Sequence, residues 1–398
     1  MYIKRDFSQT LGGSVHLEAV LLRGPRQVGK TTLLDHLDLA SEVCLDDLFL
    51  RRRAQNDPAL FIDDLRFPCL IDEVQYAPNL FPEIKLRIDL QRRRRTRGKA
   101  APAGTIFYLT GSNRILLDEN IKESLAGRCN IHSLHGFSVK EILAHFPDLP
   151  LKSIFTRGGF PELYVRPDLA APGYLNAYIS SFIEKDVAAS AGVEKLGEFQ
   201  TVLGLLAART GQFLKPSEVS AAAGVDQKTV QAWIDILQRN LIMHLVPPFF
   251  SNLSKRITKL KKFYFYDVGL CARLQGHMDE TLAWNSPQAG ALFETLVFSE
   301  IVKTRDNFLK NWQLFTWRTK EQNEVDFVLQ SGDRHILIEA KLAIHGAKPF
   351  SLDGEARKVF KPPYGKLVVT AGGSEVRLDR ETIAVPIQCL GEYLLAHI

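Results

Sequence analysis

Eight consecutive residues, 24–31, constrain the fold of this chain more than any other feature. They read Gly-Pro-Arg-Gln-Val-Gly-Lys-Thr and fit the pattern GxxxxGK[ST] at every fixed position. An apolar run precedes them at residues 19–22, and a stretch with helical periodicity follows at residues 31–39. A glycine-rich turn between a strand and a helix directs backbone N–H groups and the positive end of the helix dipole towards a phosphate group. The pattern therefore predicts a nucleotide-binding α/β domain with a parallel sheet.

The side chains of this loop have distinct predicted roles. Lys30 would reach the β- and γ-phosphates of a nucleotide, and Thr31 would hold Mg²⁺. The remaining contacts are expected from the rest of the loop and the first helical turn: Gly24, Pro25, Arg26, Gln27, Val28, Gly29 and Thr32. Because the chain has no Asn-Lys-x-Asp sequence that would bind guanine, the sequence favours ATP over GTP as the cofactor.

Polar residues also follow two later apolar runs. Asp72 would complete the Mg²⁺ shell, and Glu73 would orient or deprotonate the attacking water. The run at residues 105–109 leads into Thr-Gly-Ser-Asn, where Ser112 or Asn113 would bridge the γ-phosphate and the water. These residue types, each at the end of a strand, predict the catalytic side of an ATP site.

A single arginine, Arg128, is predicted to end the helix that follows the third strand. It would act either as an arginine finger on the nucleotide of a neighbouring subunit or as a helix-terminal residue that satisfies backbone carbonyls. The sequence leaves both interpretations open.

Short apolar runs alternate with helical stretches between residues 19 and 134. The runs lie at residues 19–22, 43–45, 69–71, 106–109 and 130–134. Such alternation is typical of a parallel sheet with helical crossovers. The whole chain has 398 residues, which suggests two or three domains.

Charge and cysteine content exclude few functions. The net charge of +5 is too small to identify a nucleic-acid-binding protein without a local cluster of positive residues. The five cysteines are scattered and indicate reduced thiols rather than a zinc site or disulfides. No signal peptide and no apolar run of membrane length is apparent, so the sequence predicts a soluble, cytoplasmic protein.

Residues 217–237 have the pattern of a helix-turn-helix. Gly224 would supply the turn, and Asp226 would cap the second helix. Three polar residues near the start of that helix are expected to face a DNA major groove: Gln227, Lys228 and Gln231. The alternative is a module that contacts only other proteins or serves as a lid.

Two basic stretches are candidate contacts with DNA phosphates. One lies between segments that could pair as the strands of a wing, residues 241–246 and 262–266, and includes Lys255, Arg256, Lys259, Lys261 and Lys262. The other, at residues 92–99, is predicted to be a loop and includes Arg92, Arg93, Arg94 and Arg95. This loop would either track a DNA backbone or lie solvated at the surface.

The C-terminal part predicts an antiparallel strand pair at residues 325–329 and 335–342. Asp326 lies on the first strand, and Glu339 and Lys341 share one face of the second. This spacing is that of Mg²⁺-dependent restriction-type nucleases, in which carboxylates hold the metal and the lysine activates a water. Two further acidic residues are candidates for the same site: Glu294 and, as a weaker one, Glu324. The alternative is a purely structural cluster of lysine and carboxylates.

These motifs occur together, at residues 24–31, 71–75, 109–113, 124–128, 157–162, 264–270, 324–327 and 339–341. The set resembles the AAA-type ATPases of the archaeal-ATPase clade over nearly the full chain. The resemblance implies an α/β fold with a P-loop AAA-type parallel-sheet core at 1–136 and a helical lid at 137–195. It further implies a winged helix at 196–284 and a C-terminal α/β restriction-endonuclease-like domain at 285–398.

The sequence as a whole predicts an ATP-hydrolysing, DNA-binding protein that remodels or translocates on duplex or branched DNA. Its expected partners are DNA and further copies of itself in a ring or other homo-oligomer, with no membrane partner. Two alternatives stay open. In one, the C-terminal domain is an ATP-gated, Mg²⁺-dependent nuclease; in the other, the protein is a slow ATP switch that regulates or recruits partners.

Overall fold

The computed structural model describes residues 1–13, 17–99, 104–111, 124–181, 195–250, 260–319, 324–343, 359–360 and 364–398. The chain forms two compact units, Lys4–His135 and, together with Met1–Ile3, Gly136–Ile398. Within the described ranges, no helix is both long enough and apolar enough to cross a membrane.

The first unit is built around a parallel sheet of five strands. These are β1 (Ala19–Arg23), β2 (Ser41–Cys44), β3 (Cys69–Asp72), β4 (Phe107–Gly111) and β5 (Cys129–Ser133). Their order is β2-β3-β4-β1-β5, and every pairing is parallel. The interior strands β1 and β3 are apolar and almost entirely buried, as in a sheet covered on both faces. The predicted parallel α/β core is therefore confirmed.

Helices connect these strands. Those within the described part of the unit are α1 (Phe7–Gly13), α2 (Lys30–Leu34), α3 (Leu48–Asn56), α4 (Pro58–Asp63) and α5 (Leu80–Thr96), with a 3₁₀ turn at Val74–Tyr76. Aspartates begin α3 and α4, because Asp47 and Asp57 accept hydrogen bonds from the first free backbone N–H groups. Helix α5 buries Leu80, Ile84 and Ile88 at helical spacing.

The basic run at residues 92–99 differs from the prediction of a loop. Its first half forms the last turns of α5, which ends at Thr96. Arg92 donates two hydrogen bonds to the Glu18 carboxylate, at 3.0 and 2.6 Å, and Arg95 donates one at 2.5 Å. Residues three apart lie on the same face of a helix, so both guanidinium groups reach one carboxylate. The prediction that these residues form a loop was wrong for residues 92–96. The arginines are neutralised by the buried Glu18, which lies more than 70 residues away in the sequence.

The second unit begins with a helical region. Its described helices are α6 (Val139–His145), α7 (Leu151–Arg157), α8 (Glu162–Val165), α9 (Ala171–Ser181), α10 (Leu196–Ala208), α11 (Pro216–Ala223), α12 (Gln227–Arg239), α13 (Val268–Leu274), α14 (Glu280–Trp284), α15 (Ala289–Asn307) and α16 (Leu390–His397). Gly224 ends α11 in the left-handed conformation with φ +68°, and the Asp226 carboxylate caps α12 by accepting from Lys228 N and Thr229 N. The turn and the cap are thus placed as the sequence predicts.

Two short strands follow α12. They are β6 (Met243–Val246) and β7 (Lys262–Phe265), which pair antiparallel with Met243 opposite Phe265. The predicted pairing of these two segments is confirmed. Residues 251–259 between them lie outside the described residues.

A six-stranded sheet forms the C-terminal part of the second unit. Its strands are β8 (Gln313–Arg318), β9 (Glu324–Ser331), β10 (Arg334–Lys341), β11 (Gly365–Thr370), β12 (Val376–Arg377) and β13 (Thr382–Pro386). The order is β12-β13-β11-β10-β9-β8. Strands β9 and β10 form the predicted antiparallel pair, whereas β10, β11 and β13 run parallel. Helix α15 is buried along most of its length and shares one apolar core with β9, β10 and β11.

Close backbone contacts in the second unit explain two of the sequence motifs. Gly158 has φ +62°, and a Cβ atom there would lie 2.0 Å from the Asp267 carboxylate. That carboxylate caps α13 through Leu270 N at 2.8 Å and accepts from Gly159 N at 2.7 Å. A Cβ atom on Gly269 would lie 2.3 Å from Gly158 N. Residues 157–162 and 264–270 therefore form one glycine junction whose geometry excludes side chains.

Candidate nucleotide-binding site

The loop between β1 and α2 has the backbone that its sequence requires. Gly29 adopts the left-handed conformation with φ +86°, and Gln27 has φ +62°. At Gly24, a Cβ atom would lie 2.1 Å from the carbonyl oxygen of Leu134. Successive residues that alternate into the left-handed region turn their N–H groups to one concave side, which suits an anion. The loop thus has a concave backbone that would suit a phosphate group.

Lys30 is held across this loop. Its ammonium donates to the carbonyl oxygens of Gly24 at 3.1 Å and Pro25 at 2.9 Å. Lys30 is only 7% exposed, and these two hydrogen bonds hold its charged group inside the loop. The sequence prediction that Lys30 would bind phosphates stays a prediction, and its position is compatible with it.

Hydroxyl and carboxylate oxygens meet next to the loop. Thr31 Oγ1 donates to the two carboxylate oxygens of Asp72 at 3.2 and 3.1 Å. Mg²⁺ binds hard oxygen ligands of this kind, usually one or two from the protein with phosphate and water completing the shell. The two residues therefore fit the metal that accompanies a nucleotide.

Negative charge accumulates around Asp72. Burial, followed by the charge of Asp72, raises the pKa of Asp35. Burial, with Asp35 and Asp72 as further causes, also raises the pKa of Glu42. Carboxylates crowded in this way favour a bound cation, which relieves their repulsion.

Thr110 is a site residue that the sequence interpretation missed. Its hydroxyl donates to Asp72 Oδ1 and accepts from Glu73 N at 3.1 Å. The predicted third strand stopped at residue 109, whereas β4 continues to Gly111, and its last two residues pair with β1. A threonine in an otherwise apolar strand that neighbours Asp72 was the available signal. Ser112 and Asn113 lie outside the described residues.

Glu73 begins the 3₁₀ turn in an uncommon conformation, with φ 53° and ψ 44°. Non-glycine residues in this region cost free energy and are frequent at functional sites. Its carboxylate accepts a hydrogen bond from the side-chain amide of Gln75, which is 5% exposed. The orientation of Glu73 is therefore fixed on two sides, by Thr110 at its backbone and by Gln75 at its carboxylate.

Arg128 lies in the turn directly before β5 and pairs with α5. It donates to the two carboxylate oxygens of Asp89 at 2.7 and 3.1 Å and to the Ala126 carbonyl at 2.9 Å. The hydrogen bonds from Arg128 lower the pKa of Asp89. In the single chain, Arg128 is thus an ion-paired residue that satisfies a carbonyl.

Arg5 connects the loop with the end of the first unit. Its guanidinium is buried and donates to the Val28 carbonyl at 2.9 Å and the His135 carbonyl at 2.6 Å. Val28 belongs to the phosphate-binding loop, and His135 is the last residue of this unit. No sequence motif pointed to this residue.

The candidate DNA contacts are dispersed in the chain. Gln227, Lys228 and Gln231 are exposed at the start of α12, and Gln231 donates to Asp235 at 3.0 Å. Of the α5 arginines predicted to contact DNA, Arg93, Arg94 and Arg95 are exposed, although Arg95 also donates to Glu18. Lys255, Arg256 and Lys259 lie outside the described residues, and Lys261 is half-buried.

Lys262 is placed differently from its prediction as a DNA contact. The residue is 5% exposed, and its ammonium bonds Glu294 at 3.1 Å and also pairs with Glu324. The alternation of β7 turns Lys262 inward towards α15 and β9, because strand neighbours face opposite sides. A buried, doubly paired ammonium cannot contact DNA, so this part of the prediction was wrong.

The carboxylates proposed for a nuclease centre all have protein partners. Tyr264 donates to Glu294 Oε1 at 2.5 Å, in addition to Lys262. Asp326 accepts from Ala340 N at 2.9 Å, and Glu339 lies 3.4 Å from the ammonium of Lys341. Among the described residues, no group of three or more His, Cys, Asp or Glu side chains is arranged to hold a metal. Each of the predicted metal ligands thus contacts a donor of the protein itself.

Family models cover most of the chain in three segments. The model described as "AAA domain" matches residues 16–143, which contain the loop, Asp72 and Glu73. Two models described as domains of unknown function, DUF8612 and DUF4143, match residues 150–281 and 289–390.

Similar proteins come from several bacteria. An uncharacterized protein of Mycobacterium tuberculosis is 29% identical over 342 residues, which are 85% of this chain and 74% of that protein. An uncharacterized protein of Mycobacterium bovis matches with the same values. An uncharacterized protein of Haemophilus influenzae is 21% identical over 253 residues, 60% of each chain.

Two solved structures are distantly similar. The ORC2 protein of Aeropyrum pernix matches over 67% of this chain and 88% of its own, with 12% identity and a TM-score of 0.35. A STAND protein with a tetratricopeptide repeat sensor from Pyrococcus horikoshii matches over 77% of this chain and 47% of its own, with 11% identity and a TM-score of 0.20. Similarities at these scores define no common fold by themselves. From its sheet, its loop and the AAA model that matches them, the chain carries an AAA-type domain at residues 16–143, and residues 289–390 match a domain of unknown function (DUF4143).

Proposed function

We propose that the first unit binds Mg²⁺–ATP and hydrolyses it. The observation that carries this proposal is the Thr110 hydroxyl, which contacts Asp72 and the backbone of Glu73 at once. This contact fixes the metal ligand and the base relative to each other, next to Thr31 of the loop. Such pre-organisation is what phosphoryl transfer needs, because catalysis there is mostly positioning and electrostatic stabilisation.

Each residue of the site would have one task. Lys30 and the loop N–H groups would bind the phosphates, and Thr31 with Asp72 would hold Mg²⁺. When bound, the metal would neutralise charge on the β- and γ-phosphates. Glu73 would orient the water and accept its proton. In a homo-oligomer, Arg128 would exchange Asp89 for a neighbour's nucleotide.

Steady-state ATP hydrolysis tests this proposal. Lys30→Ala should abolish ATP binding, whereas Glu73→Gln should bind ATP normally and lower turnover by about 10²–10⁴-fold. Comparable turnover in Glu73→Gln and the unchanged protein would contradict the role of Glu73.

DNA is the proposed target of the ATPase cycle, as duplex or branched DNA that the protein remodels or along which it translocates. The exposed polar residues at the start of α12 support it, because a helix N-terminus in this position reads a major groove. The assay is ATP turnover with single-stranded, duplex and four-way-junction DNA. Stimulation that depends on the form of the DNA and is weakened by Lys228→Ala would support the proposal. Equal turnover with and without each DNA would contradict it.

A slow ATP switch is the second candidate. Two hydrogen bonds within the chain favour it, because each engages a predicted catalytic residue. Gln75 donates to Glu73, and Arg128 donates to Asp89. A protein that rests with both groups engaged would turn over slowly until a partner releases them. Low turnover that no DNA changes, together with tight ATP binding, would identify this case.

A further inference from the structure

The ammonium of Lys262 lies among carboxylates from two different elements. It contacts Glu294 of α15 at 3.1 Å and pairs with Glu324 of β9. Its side chain is 6% exposed, and the side chains of Glu294 and Glu324 are 18% and 26% exposed. A cation from β7 thus stands between acidic residues of the helix and the sheet.

The same strand contributes a second contact. Tyr264, two residues after Lys262, donates to the same oxygen of Glu294. Residues two apart in a strand face the same side. The inward face of β7 is therefore complementary to the acidic residue of α15, in charge and in hydrogen-bond donors.

The charges of this cluster compensate one another. The ammonium of Lys262 faces the carboxylates of Glu294 and Glu324, which balance its positive charge. A divalent cation at the same place would lie against a buried ammonium, and like charges in a poorly solvated site repel strongly.

We propose that Lys262 takes the place that a divalent cation has in a nuclease centre. The carboxylates then serve to fasten the strand β7 to α15 and β9, and the C-terminal domain cleaves no phosphodiester bond through them. This inference concerns the second unit and does not rest on the proposed ATPase activity.

Thermal unfolding of the full chain tests the ion pair. Lys262→Met leaves buried carboxylates without a counter-ion and should lower the melting temperature by about 6–12 °C. Adding Glu294→Gln removes the excess charge and should restore most of this loss. The control is Lys261→Met at the preceding, half-buried position, which should change the melting temperature by less than about 2 °C. A Lys262→Met protein as stable as the unchanged one would overturn the proposal.

Mn²⁺ tests the absence of a metal centre, including the case in which Lys262→Met fails to fold. The protein carries Asp72→Asn throughout, which removes the metal ligand of the nucleotide site. Mn²⁺ should leave its melting temperature unchanged, with or without Glu339→Gln. A rise of more than about 3 °C that Glu339→Gln or Asp326→Asn abolishes would overturn the proposal.

Discussion

At the scale of single residues, the carboxylate of Glu73 is held by the side chain of Gln75, two residues further along the chain. The amide nitrogen of Gln75 donates to it from the same 3₁₀ turn, and the amide oxygen of Gln75 is buried without a partner among the described residues. An amide left half-satisfied is kept in place by the one contact that it makes. Gln75 is therefore positioned by Glu73 as much as it positions Glu73.

Gln75→Met should separate ATP binding from hydrolysis. Without the amide donor the carboxylate of Glu73 loses its orientation, so turnover should fall about 10-fold while the affinity for a non-hydrolysable ATP analogue stays the same. In a protein that already carries Glu73→Gln, adding Gln75→Met should not lower turnover further, because Gln75 acts through the carboxylate of Glu73. Gln55→Met is the control, since Gln55 donates to the backbone of the same turn at Tyr76. An equal loss of turnover in both backgrounds would contradict the coupling.

The ion pair of Glu18 should make stability depend on pH. Hydrogen bonds from Arg92, with a smaller contribution from Arg95, lower the pKa of Glu18 from 4.5 to about 2. A carboxyl whose pKa is lower in the folded protein than in the unfolded chain stabilises the fold fully at pH values above the unfolded-chain pKa. This stabilisation is lost as the pH falls through the pKa of the folded protein. Glu18→Gln should cost about 1–2 kcal/mol at pH 7 and clearly less near pH 3.5. Urea unfolding at the two pH values measures this; an equal cost at both would contradict it.

The residues that the structure brings together as the sequence led us to expect are those whose place follows from local order. Thr31 and Asp72 each occupy a fixed place in a strand-loop-helix or strand-end pattern, and the structure brings them into contact. Thr110 and Lys262 escaped the prediction because their roles depend on which strands and helices become neighbours. Such neighbours are set by the order of the sheet and the packing of α15, which no local pattern encodes.

At the scale of elements, the glycine junction joins α7 to α13. Gly158 has a positive φ and lies against the carboxylate of Asp267. Burial raises the pKa of Asp267, yet its backbone hydrogen bonds keep two loops together.

Gly158→Ala should destabilise the protein strongly. The new methyl group would both overlap the Asp267 carboxylate and force a positive φ on alanine, for an expected cost of more than about 3 kcal/mol. Gly173→Ala in α9 is the matched control, because no atom lies within 4 Å of a Cβ built there. Alanine has a higher helix propensity than glycine, so this variant should be as stable as the unchanged protein or slightly more stable. Urea unfolding of the two variants measures the difference, and similar stabilities would contradict the steric account.

The positions of strands were predicted well where apolar residues form an uninterrupted run or alternate regularly. The five strands of the first sheet and the pair β9–β10 lie within two residues of the predicted segments. The end of α5 was not predicted, because a run of arginines indicates solvated loop unless a buried acid such as Glu18 compensates it.

At the scale of the whole molecule, the chain passes between the two compact units at two places, residues 3–4 and 135–136. Arg5 lies next to the first and bonds His135 at the second. The same guanidinium holds Val28 in the phosphate-binding loop. A single side chain therefore connects the loop with both passages of the chain.

Arg5→Met should weaken nucleotide binding although residue 5 contacts no phosphate in the proposed site. The loop carbonyl and the His135 carbonyl would lose a buried charged donor, so the dissociation constant for ATP should rise about 10-fold. Arg5→Lys keeps the charge but supplies a single donor group. Its dissociation constant for ATP should lie between those of the unchanged protein and Arg5→Met. Titration calorimetry measures the affinities; unchanged binding in Arg5→Met would contradict this link.

The glycine junction also limits how this chain can be recombined with its relatives. A Cβ atom on Gly136 or Gly159 would lie within 3 Å of the other loop's backbone, as would one on Gly269 at Gly158. A chimera that takes residues 157–162 from another protein must then take residues 136–137 and 264–270 from the same source. These three segments, far apart in sequence, form one exchangeable block, and breakpoints placed between them would yield proteins that do not fold.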